Sequence, residues 1–262
     1  MSIRNVVKVM NFHALIRVDN ARRQADKYKM MEEQLMYMMD NITNNRNLIL
    51  DKKVFAVRED APEINIYIGS DLGFCSNYNS QMNEKLLADA SASKKILIGR
   101  KLAGRRAENV DFSVNTADIE FEMPKIREYL EEKIWKKECS RISIIYNHYE
   151  NTTTIYSKKM QIFPIVRKQD PEQAKTYNED FAMEGDVNDL MNRMIATYVY
   201  YELKLALVNS RAAENILRQN ATTDSLKKID EMEEDAQMEE RRVRRNKEFQ
   251  KVVDNYVKKK MY

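Results

Sequence analysis

Glycine and proline are scarce, and the places they avoid carry the first structural information. The chain has five glycines and four prolines in 262 residues, and all of them lie between Pro62 and Gly185. Both ends therefore lack the residues that most reliably interrupt helices. With two cysteines, Cys75 and Cys139, and two histidines, His13 and His148, there is no disulfide framework and no metal-ligand spacing. No apolar run approaches the ~20 residues that span a bilayer, and residues 1–10 lack the basic-then-apolar layout of a signal peptide. The expectation is a cytosolic chain with reduced thiols, in which the sequons at Asn41, Asn151 and Asn220 carry no sugar. A net charge of +3 is too small to argue for nucleic acid.

What is present is charge and helical periodicity. Charged residues make up 32% of the chain and hydrophobic ones 43%, as in a folded protein with a long solvated surface. A helix over residues 186–262 would be roughly 110 Å long at about 1.5 Å per residue, several times the diameter of any core this chain can build. Its apolar positions (Met191, Met194, Tyr198, Tyr201, Leu205, Val208, Ala212, then Leu226, Ile229, Met232, Ala236, Val243, Val253, Val257) are spaced by threes and fours and form a seam. The first arm supplies the partner. It runs through Ile3, Val6, Val7, Met10, Phe12, Leu15, Ile16, Tyr28, Met31, Leu35, Met38 and Ile42, with an asparagine-rich fray or turn over residues 41–47 before a further helical stretch to about residue 58. Residues near 3–58 and 187–258 are thus expected to pair as antiparallel helices. On the late helix, an acidic run from Asp230 to Glu240 is followed at once by Arg241, Arg242, Arg244, Arg245 and Lys247. This is either a solvated helix face or a contact with charged loops of a partner.

Between the arms the period changes. Ile64, Ile66 and Ile68 alternate with Asn65 and Tyr67 as in a strand, and a helix from about Ser80 follows. Lys95 to Gly99 form a second strand, entirely apolar at Ile96, Leu97 and Ile98. Residues 111–114 and 118–121 read as shorter extended pieces, and Pro124 is expected to open a helix through Ile126, Leu130 and Trp135. Residues 141–149 and 152–166 suggest a hairpin, and residues 170–186 a polar link. The divisions are 1–60, an N-terminal coiled-coil helix; 61–185, a Rossmann-like α/β domain with a mixed sheet; and 186–262, a C-terminal coiled-coil helix.

No catalytic constellation emerges. There is no phosphate-binding G-x-x-x-x-G-K-[ST], and the segment from Gly69 to Gly73 lacks the third glycine of a dinucleotide loop. Asp71 beside Gly73 reads as a turn cap. Cys75 as a nucleophile would need His148, on a hairpin strand, as its base. The carboxylates of the late helix lie on a solvated face, where no desolvation raises a pKa for acid-base work.

The turn Ser70-Asp71-Leu72-Gly73-Phe74-Cys75-Ser76-Asn77-Tyr78-Asn79 keeps the Asp, Gly, Cys and Asn of T-D-x-G-L-C-G-x-x-N, the signature of the gamma subunit of F-type ATP synthases. Tyr146-Asn147-His148-Tyr149 is similar to that family's Y-N-x-F, Met160-Gln161-Ile162-Phe163-Pro164 to its L-L-P ending, and Ala221-Thr222-Thr223-Asp224-Ser225 to its A-A-T-D-N. The resemblance covers essentially the whole chain. It departs at the family's R-Q-x-x-I-T-x-E-L, of which Arg241 and Glu248 remain, and at its I-T-K-A-M, which falls on Phe12-His13-Ala14-Leu15-Ile16.

The resemblance implies a non-catalytic central-stalk rotor without cofactor or metal, coupling ATP hydrolysis or synthesis in an alpha/beta ring to rotation, either in a housekeeping synthase or in a paralogue that drives transport or motility. Its implied partners are alpha-like and beta-like ATPase subunits, an epsilon-like subunit and a membrane rotor ring, at a peripheral cytoplasmic position on the inner face of a membrane. Torque contacts are expected at Arg241, Arg242, Arg244, Arg245 and Glu248. Val252, Val253 and Val257 would form the axle tip. Asp71, Gly73, Cys75 and Asn79 are expected to form the structural corner, with Gly73 in a conformation that a side chain obstructs. A non-rotating coiled-coil scaffold is the alternative, and a Rossmann-type enzyme a third.

Overall fold

A computed structural model describes residues 3–45, 47–89, 92–165 and 184–260. The first helix, α1 (Ile3–Asn44), leads through a short 3-10 turn at Lys52–Phe55 into the head. The head contains β1 (Glu63–Ile68), α2 (Tyr78–Leu87), β2 (Lys94–Ile98), β3 (Val110–Val114), α3 (Ile119–Trp135), β4 (Arg141–Tyr149) and β5 (Ile155–Phe163). The last helix, α4 (Val187–Lys260), has 74 residues. Strand order in the single sheet is β3-β2-β1-β4-β5. The first four strands are parallel, and β5 runs antiparallel to β4. The α/β head with its mixed sheet and two long terminal helices follow the expectation from periodicity.

Strand alternation sets the layers. On β1, Ile64, Ile66 and Ile68 turn to one face, where Ile119, Met123, Ile126 and Leu130 of α3 and Met191, Ile195, Val199 and Leu203 of α4 meet them. Tyr67 turns to the other face and packs with Met82 and Leu86 of α2. Both faces of the parallel strands are covered, which is why β1 and β2 read as almost continuously apolar. Leu48, Leu50, Val54 and Phe55 pack at the edge of the main core, so the stretch after Asn44 is held by burial although it is not a helix.

Three expectations need correction. The first arm is helical only to Asn44, because Asn41, Asn44, Asn45 and Asn47, in the last turn and just beyond, favour local side-chain bonds over helix continuation. Residues 118–121 are not extended. Phe121 and Glu122 donate backbone N–H bonds to the Asp118 carbonyl, and Glu120 and Glu122 complement the N-terminal dipole of α3. Pro124 consequently lies inside α3 and does not open it. The second arm of the hairpin is Ile155–Phe163. Most of the polar link expected at 170–186 lies outside the described residues.

Candidate functional site

The two long helices run antiparallel. Arg4 pairs with Asp230 at 2.7 Å and Glu233 at 2.9 Å, Asn11 bonds to the 219–223 turn, and the Tyr28 ring lies 6.2 Å from that of Tyr201. The covered row of α1 is Arg4, Val7, Asn11, Ala14, Val18, Ala21, Ala25, Tyr28, Glu32, Leu35, Met39 and Ile42. These residues alternate steps of three and four, the 3.5-residue period of a left-handed coiled coil. Its middle is made of small side chains, which lets the helix axes approach. Much of the apolar row expected to face α4 points outward instead: Ile3, Val6, Phe12, Leu15, Ile16, Met31 and Met38 are exposed.

Asn11 is a seam residue that periodicity overlooked. Its Nδ2 lies within hydrogen-bond distance of the Gln219 carbonyl (3.1 Å), Thr222 Oγ1 (3.0 Å) and Thr223 Oγ1 (2.9 Å). A buried polar group that finds its partners at one offset fixes the axial register of two helices. The signal was available, since Asn11 occupies a heptad position between Val7 and Ala14.

The coil ends at the Arg4 pairs. Residues 234–260 continue α4 for roughly 40 Å at about 1.5 Å per residue, and residues 230–256 are all exposed. Arg241, Arg242, Arg244, Arg245, Glu248, Val252 and Val253 all belong to this bare stretch, and Val257 lies further along the same helix. Arg242 reaches Glu239 at 3.7 Å and Arg244 reaches Glu248 at 3.3 Å, both pairs largely solvated. Arg244 thus takes the acid after it and not Glu240 before it. Arg241 and Arg245 make no ion pair among the described residues. Of the positions expected towards a partner helix or ring, Leu226 and Ile229 are half-buried, whereas Ala236 and Val243 lie on the bare stretch.

The corner at residues 71–79 joins the head to the coil. Asp71 Oδ1 accepts from the backbone N–H of Arg100 (2.8 Å) and Thr116 (3.0 Å), and Oδ2 from that of Ala117 (3.0 Å), tying together the loops at the C-terminal ends of β1, β2 and β3. Partial burial opposes its ionisation, but the Thr116 side chain and these three N–H groups outweigh burial and hold the carboxyl below the usual carboxylate range. Asn79 Oδ1 accepts from Ser70 N at 3.0 Å, and its Nδ2 donates to Ser70 Oγ at 2.8 Å. Buried Cys75 sits 3.6 Å from the Leu72 carbonyl and 3.7 Å from Ser70 Oγ. Tyr78 then crosses to the coil, with its hydroxyl 2.5 Å from Ser210 Oγ on α4. Val18, Ala21, Cys75, Tyr78, Tyr149, Val208, Ala213 and Ile216 form the apolar patch around that crossing. Neither Tyr78 nor Ser210 stood out in the sequence, because one hydroxyl on a long helix has no periodic signature.

Gly73 corrects another expectation. It has no positive φ, and a Cβ placed there meets nothing within 4 Å. The left-handed residues of the turn are Phe74 and Ser76, at φ 60° and 49°. The glycine that the corner requires is Gly99, at φ +127°, where a Cβ would come within 2.7 Å of the Gly69 backbone.

Among the described residues, no hydrogen bond joins Cys75 to His148. His148 meets Tyr146 edge-on and Tyr156 at a tilt, and burial lowers its pKa. The polar neighbours of Cys75 are those of its own turn. Among the described residues, no cluster of His, Cys, Asp or Glu is arranged to hold a metal ion, and no helix is long and apolar enough to cross a membrane.

Residues 1–251 match the family model described as ATP synthase. The chain belongs to the ATP synthase gamma family. It is 23% identical over 268 residues to the ATP synthase gamma chain of Mycoplasma mycoides, covering 97% of this chain and 93% of that one. It is also 23% identical to the gamma chain of Clostridium novyi, covering 97% and 92%. In fold it is similar to a chain of the Tetrahymena thermophila mitochondrial ATP synthase central stalk and c-ring, with a TM-score of 0.57, 17% identity, and coverage of 84% of this chain and 99% of that one. In this gamma-family chain, the coiled coil and head make up the part that folds on itself, and the bare end of α4 is the part that no other described residue covers.

Proposed function

We propose that this gamma-family chain is the central-stalk rotor of an F-type rotary ATPase, coupling ATP hydrolysis or synthesis in a surrounding ring of alpha-like and beta-like subunits to rotation while catalysing nothing itself. The observation that carries this reading is the stretch of α4 beyond Glu233, which has no covering from the described residues of its own chain. That stretch exceeds the roughly 12–15 residues below which an isolated helix is marginal, and it continues packed α4, so it stands as a helix clear of its own chain and meets surfaces outside it. Its opposite end broadens into the head, where α4 is packed against the sheet. One helix therefore spans both the driven and the driving end.

Arg241, Arg242, Arg244 and Arg245, with Glu248, meet polar and acidic loops of beta-like subunits. Val252, Val253 and Val257 form the tip. Exposed ion pairs contribute roughly 0–1 kcal/mol each, so a row of them can re-form at successive angles without a deep trap. The head meets an epsilon-like subunit and a membrane rotor ring, which places the chain peripherally on the cytoplasmic face of a membrane.

The test is single-molecule rotation of the complex that co-purifies with the tagged chain, carrying Arg→Gln at positions 241, 242, 244 and 245. Loss of torque with retained ATPase activity is expected. Full torque at physiological salt would remove the arginines from the coupling path. Recovery of the chain without ATPase subunits would favour a static scaffold.

A further inference from the structure

Where the coil meets the ends of β2 and β3 lies a cleft of about 630 Å³, within the usual size of small-molecule sites. Four arginines line it from three parts of the chain: Arg17 on α1, Arg100 after β2, and Arg211 and Arg218 on α4. Asp71 and Glu214 line it too, but neither is free to neutralise all four. Both oxygens of Asp71 are taken by backbone N–H groups. Glu214 sits 2.5 Å from Arg218, with the two side chains only 11% and 7% exposed.

That pairing leaves the guanidinium groups of Arg100, Arg211 and Arg17, the last of which Glu214 also attracts across space. Arg100 donates one bond to the Asp71 carbonyl at 3.3 Å. Arg211 makes only long contacts, at 3.5 Å to the Thr116 carbonyl and 3.8 Å to Glu120. Arg17 makes no hydrogen bond with any described residue. Each guanidinium presents five N–H donors in a planar fork that matches an oxyanion, so most of the donors in the cleft are unspent.

We propose that this cleft binds a small phosphate-class oxyanion, bridging Arg17 and Arg211 of the coil to Arg100 of the head. The observation that selects this ligand is the excess of unspent guanidinium donors over available carboxylates in a cleft of small-molecule size. A bound anion would fasten the shaft to the head at the point where Tyr78 and Ser210 already join them.

The probes are inorganic phosphate and pyrophosphate, titrated calorimetrically into the full chain in the complex with which it is purified, with chloride at matched ionic strength as control. Phosphate taken up by the ATPase ring is common to wild-type and variant complexes, so the cleft is read as one further equivalent in the wild type, binding more weakly as salt rises. Arg17→Gln and Arg100→Gln should each weaken binding by about tenfold, the equivalent of one charge-assisted hydrogen bond. The double variant should abolish that further equivalent while melting at the wild-type temperature without ligand. Heats no larger than the chloride control, or pyrophosphate binding unchanged in the double variant, would overturn the site. Binding of a glutamate-rich peptide with no response to either phosphate would assign the cleft to a partner's acidic loop and overturn it equally.

Discussion

The two halves of α4 are one unbroken helix with two chemistries. From Met191 to Ile216 it buries Met191, Ile195, Val199, Leu203, Ala206, Leu207 and Ala213 against sheet and coil. From residue 230 to 256 every residue is exposed, and arginine and glutamate replace the apolar stripe. Helix formation alone does not distinguish the halves, since neither contains glycine or proline. What differs is where the compensation for ordering comes from: within the chain for the lower half, and, on the function proposed above, from other molecules for the upper one. Substitutions below should therefore be read in stability, and substitutions above in coupling.

The strongest break of this contrast is a matched truncation. Leu203→Ala, in the main core, should cost about 2–5 kcal/mol in chemical denaturation, whereas Val243→Ala should stay within about 0.5 kcal/mol. Equal losses would mean that the upper half is also packed within the chain. Next comes the corner: Gly99→Ala should cost roughly 1–3 kcal/mol because its backbone is left-handed and its Cβ meets the Gly69 main chain, while Gly73→Ala should be neutral. The pair of melting curves inverts if the turn is built around Gly73 after all.

Asp71→Ala should cost about 1–3 kcal/mol by leaving the backbone donors of two loops, at Arg100 and at Thr116 and Ala117, unpaired. The wild type carries the matching pH signature. The folded pKa of Asp71 is depressed, so its contribution is present above the unfolded carboxyl value of about 3.9 and is lost as pH falls through the folded value. The stability difference between wild type and Asp71→Ala should therefore narrow below about pH 4. A constant gap in denaturation experiments down to pH 3 would separate Asp71 from that linkage. The smallest thermodynamic effect belongs to the four Arg→Gln changes on the bare end. They should leave the melting temperature of the isolated chain unchanged, since their ion pairs are solvated, and an appreciable shift would show that the cluster serves the fold.

Much of the architecture was legible because it rests on strong periods. Ile64, Ile66 and Ile68 mark β1, and the confinement of glycine and proline to the middle marks both arms. The seam of α1 was not legible in the same way. Periodicity counts large apolar residues, while close helix approach selects Ala14, Ala21 and Ala25 and leaves Phe12 and Ile16 outside. The start of α3 was hidden by Pro124, the louder signal, although Asp118 with Glu120 and Glu122 spells a helix N-terminus. At the corner, the motif located the turn but not its mechanics. Gly73 was conspicuous in sequence, yet it is Gly99, distant in the chain, whose backbone must pass close to another strand. Likewise, the bonds of Asp71 run to residues 100, 116 and 117, partners that no local pattern could name.

The clasp of Arg4 on Asp230 and Glu233 also divides the molecule by stiffness. Below it, twisting α4 means twisting two helices locked in register by Asn11 and braced by a sheet; above it, one helix bears the whole couple. For equal applied torque, a single strand yields through a larger angle than a braced pair. Elastic wind-up therefore gathers in the last 40 Å or so, and the head turns almost as a rigid body while the tip acts as the spring.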